Sequence, residues 1–347
     1  MTETRTAAAP RLNLVIILVA SAIAGVMIGL AVTATSAIPG VPEPSAVVRV
    51  GLPVVRVLLD VAAVVTLGLC VLPILIGFDR AKLAEPVLAG TRRVAVASSL
   101  VWAITALVAL VLQTAELRPT AEVSFGAIGE YVSTVGAGKA LVFVAAFALV
   151  SAALAAWATR IGESMPAELR SAVALFALLP LPVTGHAVDE PWHDITMISM
   201  ELHVASATAW TGGLGAVVVL LAANRALLAH ALPRFSTLAT VCLITAGVTG
   251  LINGFAELLD KFTMDDAMFG TGDLGRELFA TDYGLLLIGK MICYGVIALA
   301  GAHIRWRLLP GVVRRQPTAL VGWAALELGV MGIAFGLAVV LTRAAVA

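Results

Sequence analysis

Charged residues are scarce in this sequence: they make up 13% of 347 residues and carry no formal net charge. Because a soluble globular domain has about 25% charged residues, this scarcity excludes an ordinary soluble protein. The zero net charge leaves no basic footprint for nucleic acid. The three cysteines, Cys70, Cys242 and Cys293, fall inside apolar runs without a pairing spacing. This placement favours buried apolar packing over disulfides or a zinc site.

Long apolar runs take up most of the chain instead. Hydrophobic residues make up 60% of the sequence, and the mean hydropathy is +1.01. A helix needs about 20 apolar residues to span a bilayer, and the short alternating segments of a membrane β-barrel do not occur here. The sequence therefore predicts an all-α, polytopic bundle of about nine transmembrane helices in the cell membrane. The predicted segments are 12–36, 51–77, 94–115, 137–159, 170–185, 195–223, 235–257, 283–304 and 319–342.

The loops between these segments differ in charge. If the N-terminus is cytoplasmic, most lysines and arginines fall in cytoplasmic loops, whereas acidic residues gather in 116–130, 189–194 and 257–282. The positive-inside rule then predicts a cytoplasmic N-terminus and an extracytoplasmic C-terminus. Arg5 and Arg11 precede the first segment, which we interpret as a retained anchor, with a cleaved signal peptide as the alternative.

This topology divides the chain into four predicted parts. They are a short cytoplasmic N-terminus at 1–11, five transmembrane helices at 12–182, a core of three helices at 183–315, and a last helix at 316–347. The core contains an acidic outer loop at 258–282, where Met264 and Met268 are candidates for capturing a metal ion. A solvated acidic loop is the alternative interpretation of that segment.

The stretch 186–203 is the richest in candidate metal ligands. At about 100° per residue, His193, Met197, Met200 and His203 lie within about 120° on one helix face, and His186 precedes them. Imidazole and thioether form the ligand set that soft Cu(I) prefers, whereas zinc and magnesium sites rarely use methionine. This ladder, from His193 to His203, extends over about 15 Å of helix. Its length favours several weak binding sites in succession over a single site. The alternative is that the methionines are core residues and the histidines structural.

Ionisable residues inside the apolar segments are the second group of candidates, because charge in a membrane is costly. The predicted intramembrane network comprises Arg56, Asp60, Lys139, Glu201, Glu257, Lys290 and Glu327. Arg56 and Asp60 are four residues apart and share a helix face. Glu201 and Lys290 are predicted at similar depth and could form a structural pair. A hydrated vestibule in the outer half of the membrane is a compatible functional interpretation. Further along, Trp210, Gly212 and Gly213 indicate close helix packing.

Several of these motifs together resemble a known family. The matching residues are 203–214 (HVASATAWTGGL), 233–236 (PRFS), 281–290 (TDYGLLLIGK) and 307–310 (RLLP). Over about 183–310 the chain resembles the CopD family of copper-resistance membrane proteins. The earlier motifs 51–56 (GLPVVR) and 113–119 (QTAELRP) look like actinobacterial members in which a CopD half is fused to a CtaG-type half, an oxidase copper-assembly factor.

The resemblance implies copper movement or delivery at the cytoplasmic membrane, with a CtaG-like half as the natural continuation of the chain. We therefore expect a copper-handling protein, for homeostasis or oxidase assembly, whose partners are the copper ion, the bilayer, a fused or separate CtaG-like domain and an extracytoplasmic copper chaperone. One alternative is an assembly subunit without an ion pathway, and another is a b-type haem protein using His203 and His186. The sequence contains no phosphate loop, nucleophile elbow or catalytic carboxylate pair, so we expect no enzymatic activity.

Overall fold

The computed structural model describes residues 9–33, 43–184, 193–269 and 274–343, and all regular secondary structure in these ranges is helical. The α-helices are α1 (Ala9–Val32), α2 (Ala46–Ile76), α3 (Ala81–Glu116), α4 (Phe125–Thr134), α5 (Gly136–Ile161), α6 (Ala167–Phe176), α7 (His193–Leu221), α8 (Arg225–Phe269), α9 (Leu274–Ala280), α10 (Asp282–His303), α11 (Leu309–Val313) and α12 (Leu320–Leu341). Short 3₁₀ turns lie at Phe78–Arg80, Gly162–Ser164 and Leu181–Thr184, and a π-helical turn lies at Ile304–Leu308.

Eight helical stretches in the described ranges are long and apolar enough to cross a membrane. They correspond to α1, α2, α3, α5, α7, α8, α10 and α12, with the α10 stretch continuing to Val313. Large apolar side chains remain exposed on their outer sides, such as Ile195, Ile198 and Leu202 on α7. Lipid can cover such apolar faces, whereas water would not. The predicted all-α polytopic bundle is confirmed.

The predicted fifth transmembrane helix, 170–185, is not a continuous helix, so eight long helices replace the nine expected. Helix α6 ends at Phe176, and after a turn the chain forms the 3₁₀ turn Leu181–Thr184. Pro180 and Pro182 explain the break, because proline lacks the N–H for the helical ladder and disfavours helical backbone in the preceding residue. The interrupted segment packs against α2 and α5 and then against α7.

Helix α2 lies at the centre of the bundle, where it packs against α3, α7 and α6. Its contact with α7 is close because glycine faces glycine: a Cβ added to Gly68 would lie 2.1 Å from the Gly212 carbonyl oxygen. Helices α1 and α12 meet in the same way, and a Cβ on Gly336 would lie 2.3 Å from the Ala22 carbonyl oxygen. Small residues allow helices in a membrane to approach closely. The predicted packing role of Gly212 agrees with this geometry.

Ion pairs mark the two ends of the bundle. At one end, Glu116, the last residue of α3, pairs with Arg343 after α12. At the other end, Glu163 lies between Arg92 and Arg170, at 2.8 Å and 2.7 Å. The two arginine side chains are 4% and 3% exposed and therefore almost fully buried, and Arg92 also pairs with the exposed Glu85. By the positive-inside rule the Glu116–Arg343 end is extracytoplasmic, which stays a prediction.

Candidate functional site

A cavity of about 620 Å³ lies between α2, α7, α8, α10 and α12. Its walls are mainly apolar, and polar groups reach it from four of these helices. The 3₁₀ turn after α6 contributes Leu181 and Pro182, so the break in the predicted fifth helix shapes one wall. Thr342, next to the Glu116–Arg343 pair, also lines it. The cavity therefore reaches the end of the bundle that carries this ion pair.

One face of α7 lines the cavity along much of its length. Met200 and His203 lie on this face, followed by Ala207 and Trp210. Their spacing of three or four residues is that of a single helix side. Met197 is half-buried and lies outside the cavity lining. Of the predicted ladder, the structure therefore brings Met200 and His203 together on the cavity wall and leaves Met197 apart.

The side chains of the remaining predicted ligands lie outside what the structure describes. His186 falls in the gap between 184 and 193. His193 begins α7, and Met264 and Met268 belong to the end of α8, but their side chains are not among those described. The side chain of Glu257, also on α8, lies outside the described residues as well.

The imidazole of His203 is held in a fixed orientation by α8. Its Nδ1 lies 3.0 Å from the Ala246 carbonyl oxygen and 3.2 Å from Oγ1 of Thr249. Because a carbonyl oxygen can only accept, the neutral ring carries its proton on Nδ1. The lone pair of Nε2 is then free for a metal ion, as in metal sites where a backbone carbonyl fixes the histidine tautomer.

The thioether of Met200 has a polar neighbour on α8. The amide Nδ2 of Asn253 donates to its Sδ at 3.7 Å, and Asn253 also lines the cavity. The Oδ1 atom of Asn253 is buried and has no hydrogen-bond partner within the described structure. Ser199 adds a link between the two helices by donating to the Thr249 carbonyl oxygen at 3.2 Å. A buried acceptor without a donor is costly, which makes Asn253 an unusual residue in this wall.

Thr249 and Asn253 were not among the residues predicted from the sequence. A signal for them exists, since they are polar residues four apart in the apolar run of α8 and therefore share a face. Tyr283 and Tyr294, which also line the cavity, lie in α10 and escaped notice for the same reason. Neutral polar side chains in a membrane helix are a weaker sequence signal than ionisable ones, because burying them costs less.

Three charged residues of the predicted network line the cavity, namely Arg56, Asp60 and Lys290. Arg56 and Asp60 interact electrostatically along α2, as their spacing of four residues predicts. Lys290 on α10 acts electrostatically on His203. The structure shows no ion pair between Lys290 and Glu201, although both side chains are described, so the pairing expected from their similar depth is wrong.

The other members of the predicted network are dispersed. Lys139 is exposed near the start of α5, and Glu201 is partly buried on α7 outside the cavity lining. Glu327 on α12 is 2% exposed and accepts a hydrogen bond from the indole of Trp210. Trp210, expected to serve packing, therefore also has a polar partner.

A buried tyrosine lies on the other side of Arg56. The Tyr131 hydroxyl on α4 donates to Oε1 of Gln113 at 3.0 Å and interacts electrostatically with Arg56. Burial raises the pKa of this hydroxyl, and the carboxylate of Glu116 raises it further. Tyr131 therefore remains a neutral hydrogen-bond donor near the Glu116–Arg343 end of the bundle.

The side chains on the cavity wall suit a cation site with few ligands, one of them a soft sulfur donor. Among the described side chains, no group of three or more histidine, cysteine, aspartate or glutamate residues could hold a metal ion. The cavity wall instead carries the thioether side chain of Met200 and the imidazole of His203. Such a set is too weak for a structural zinc site, and it suits an ion that must also leave.

Two family models match the chain. The model described as copper resistance protein D-like, N-terminal domain, matches residues 46–195, and the model described as copper resistance protein D matches residues 229–341. Neither the search of curated proteins nor that of solved structures returns a match. The two matched regions together span more than half of the chain and include α2, α10, α12 and most of α8, whereas α7 lies between them from Thr196 onwards. Along with the eight membrane-length helices, they confirm the prediction of a copper-related, multi-pass protein of the cell membrane. The chain belongs to the copper resistance protein D family.

Proposed function

We propose that this protein binds copper in the cavity through Met200 and His203 and moves it across the membrane or passes it to a partner. The proposal rests on one observation: both side chains lie on the same cavity wall, one helical turn apart on α7. Copper is the cargo in this account, and no catalytic chemistry is proposed. The partner would be a fused or separate CtaG-like membrane domain or an extracytoplasmic copper chaperone.

Ligand chemistry favours copper in the Cu(I) state. A thioether is a soft donor that Cu(I) accepts readily, whereas Zn²⁺ and Mg²⁺ sites seldom contain methionine. The neutral imidazole of His203 adds a nitrogen ligand whose direction is fixed by Ala246. Two or three ligands of this kind bind an ion firmly enough to capture it and weakly enough to release it.

The charged side chains on the cavity wall affect which cation can bind there. Asp60 offsets one of the two cationic side chains that line the cavity, Arg56 and Lys290. A further positive charge in an apolar cavity is unfavourable, because the low dielectric strengthens repulsion. A singly charged Cu(I) ion meets less of this repulsion than a doubly charged cation. This difference is a second argument for Cu(I) over Cu(II) or zinc.

The predicted residues nearer the membrane surface extend this pathway. We infer that His186, His193 and Met197 form earlier stations, through which copper reaches Met200 and His203 from the extracytoplasmic side. This part of the proposal rests on the spacing along α7, which repeats every three or four residues. Met264 and Met268 would capture the ion before it enters.

Copper binding by the purified protein in detergent tests the proposal. The bound Cu(I) is measured with a competing chromophoric chelator for the wild type, Met200→Ala and His203→Ala. Met27→Ala is the matched control, because Met27 is an exposed methionine on α1 and lies outside the cavity lining. The proposal predicts that Met200→Ala and His203→Ala lower the affinity for Cu(I) about 10-fold or more, whereas the control keeps the affinity of the wild type. Equal affinity in all four proteins would refute it.

A further inference from the structure

Glu327 is a membrane-buried carboxylate that the copper site does not use. It lies on α12, is 2% exposed, and takes part in no ion pair among the described residues. The indole N–H of Trp210 on α7 donates a hydrogen bond to it. A carboxylate in the membrane without a cationic partner is expensive and is therefore a functional candidate.

Glu327 lies just beyond the cavity lining, at the end away from the Glu116–Arg343 pair. Trp210, Ile297 and Met331 line the cavity on α7, α10 and α12. Glu327 lies one helical turn beyond Met331, and Gly301 lies one turn beyond Ile297. The carboxylate is packed against that glycine, since a Cβ built on Gly301 would lie 3.7 Å from its Oε1. The Trp210 indole therefore connects the cavity with the carboxylate behind it.

Among the described side chains on the helices packed against α12, no cation pairs with Glu327. They are α1, α2, α7 and α10, together with the π-helical turn after α10. The charged or titratable side chains described on these elements are Arg49, Arg56, Asp60, Cys70, Glu201, His203, Asp282, Tyr283, Lys290, Cys293, Tyr294, His303, Arg305 and Arg307. Of these, His303 stacks on Trp323, at 4.0 Å between ring centroids, one turn from Glu327 along α12. Among the described groups, Trp210 is the one whose hydrogen bond or charge acts on the carboxylate.

We propose that Glu327 is a proton-binding site that exchanges its proton for the copper ion. The carboxylic acid holds the proton while the cavity is empty. When one Cu(I) ion enters, the O–H bond breaks, the proton leaves to water, and the electron pair stays on the carboxylate. The buried charge is then unchanged, which removes the cost of adding a cation beside Arg56 and Lys290. This exchange rests on the proposed function, whereas the proton-binding site itself does not.

Infrared spectroscopy of the purified protein tests the site without copper. Glu327→Gln keeps an oxygen that can accept from Trp210 and removes the proton-binding group. The proposal predicts a carboxylic-acid C=O band at neutral pH that Glu327→Gln lacks. Glu201→Gln is the control, because Glu201 is also on a membrane helix and lies outside the cavity lining. A wild-type spectrum without this band, or an equal band in Glu327→Gln, would overturn the proposal.

Addition of Cu(I) then tests the exchange. The wild type should lose the band and release about one proton per bound copper into a weakly buffered solution, as metal binding to protonated sites does. Glu327→Gln should bind copper without releasing this proton, and His203→Ala should keep the band on copper addition. If the wild type binds copper and keeps its band, the exchange is refuted while the copper site stands. If the band is present and no copper binds, the proposed function fails and the proton site stands.

Discussion

His203 on α7 and Gly250 on α8 face each other so closely that a Cβ on Gly250 would lie 3.1 Å from Cε1 of the imidazole and 3.4 Å from Nδ1. The same ring contacts the Ala246 carbonyl oxygen one turn earlier on α8. Helix α8 therefore fixes both the tautomer and the position of the proposed copper ligand. A substitution on α8 can disturb the copper site without touching a ligand.

The first prediction follows from this contact. Gly250→Ala should push the imidazole away from Ala246 and lower Cu(I) affinity about 10- to 100-fold, the usual effect of losing a supporting contact around a metal ligand. Gly295→Ala on α10 is the matched control, since a Cβ there has no neighbour within 4 Å. The Cu(I) affinity of both purified variants is measured by competition with a chelator. Equal affinities would show that the ring position does not govern binding.

The second prediction concerns the contact between α2 and α7. A Cβ on Gly212 would lie 2.3 Å from the Val64 carbonyl oxygen, and backbone cannot move aside cheaply. Gly212→Ala should therefore lower the free energy of unfolding by about 1–3 kcal/mol, as overpacking does. Gly215→Ala on the same helix has space for its methyl group and should leave the melting temperature in detergent unchanged. A similar melting temperature for both variants would argue against the observed helix approach.

The third prediction concerns the buried ion-pair cluster at the predicted cytoplasmic end. Glu163→Gln removes the carboxylate shared by Arg92 and Arg170. Arg170 then loses its ion-pair partner, whereas Arg92 keeps its pair with Glu85. Because a nearly buried guanidinium group is left without charge compensation, stability should fall by about 3–5 kcal/mol. Glu130→Gln breaks the exposed pair with Arg118 and should cost about 0–1 kcal/mol. The stability of the two variants is compared by thermal unfolding. An equal, small loss of stability in both would mean that the buried cluster contributes little to stability.

The fourth prediction concerns orientation in the membrane. The three native cysteines are buried, so an introduced cysteine can be labelled selectively. Glu122→Cys, on the loop near Glu116, should react with an impermeant thiol reagent in intact cells. Gln316→Cys, in the exposed loop before α12, should react after permeabilisation only. The reverse pattern would invert the topology that the positive-inside rule predicts.

Much of the fold could be predicted from the sequence, because an apolar run of membrane length has few alternatives to a helix. The ends of the helices were less predictable: α3 begins at Ala81 and α8 at Arg225, well before their apolar runs. Polar residues outside the membrane core can continue a helix. The segment 170–185 was predicted as a helix although Pro180 and Pro182 mark the place where it breaks. Apolar composition alone does not distinguish a continuous helix from an interrupted one.

The candidate site was less predictable than the fold. Helical spacing correctly placed Met200 and His203 on one face, because spacing along a single helix is a local property. The pairing of Glu201 with Lys290 was wrong, since similar depth does not determine which way two side chains point around their helices. Asn253 and Thr249 depend on how α8 packs against α7, and this tertiary contact cannot be derived from either helix alone.

X-ray absorption at the copper edge of the Cu(I)-loaded protein tests the central claim most directly. The account predicts sulfur and nitrogen scatterers around copper in the wild type, from Met200 and His203. Met200→Ala should lose the sulfur contribution, His203→Ala should lose the imidazole contribution, and both should persist in Gly295→Ala. A copper spectrum that is the same in all four proteins would contradict the assignment of the cavity as the copper site.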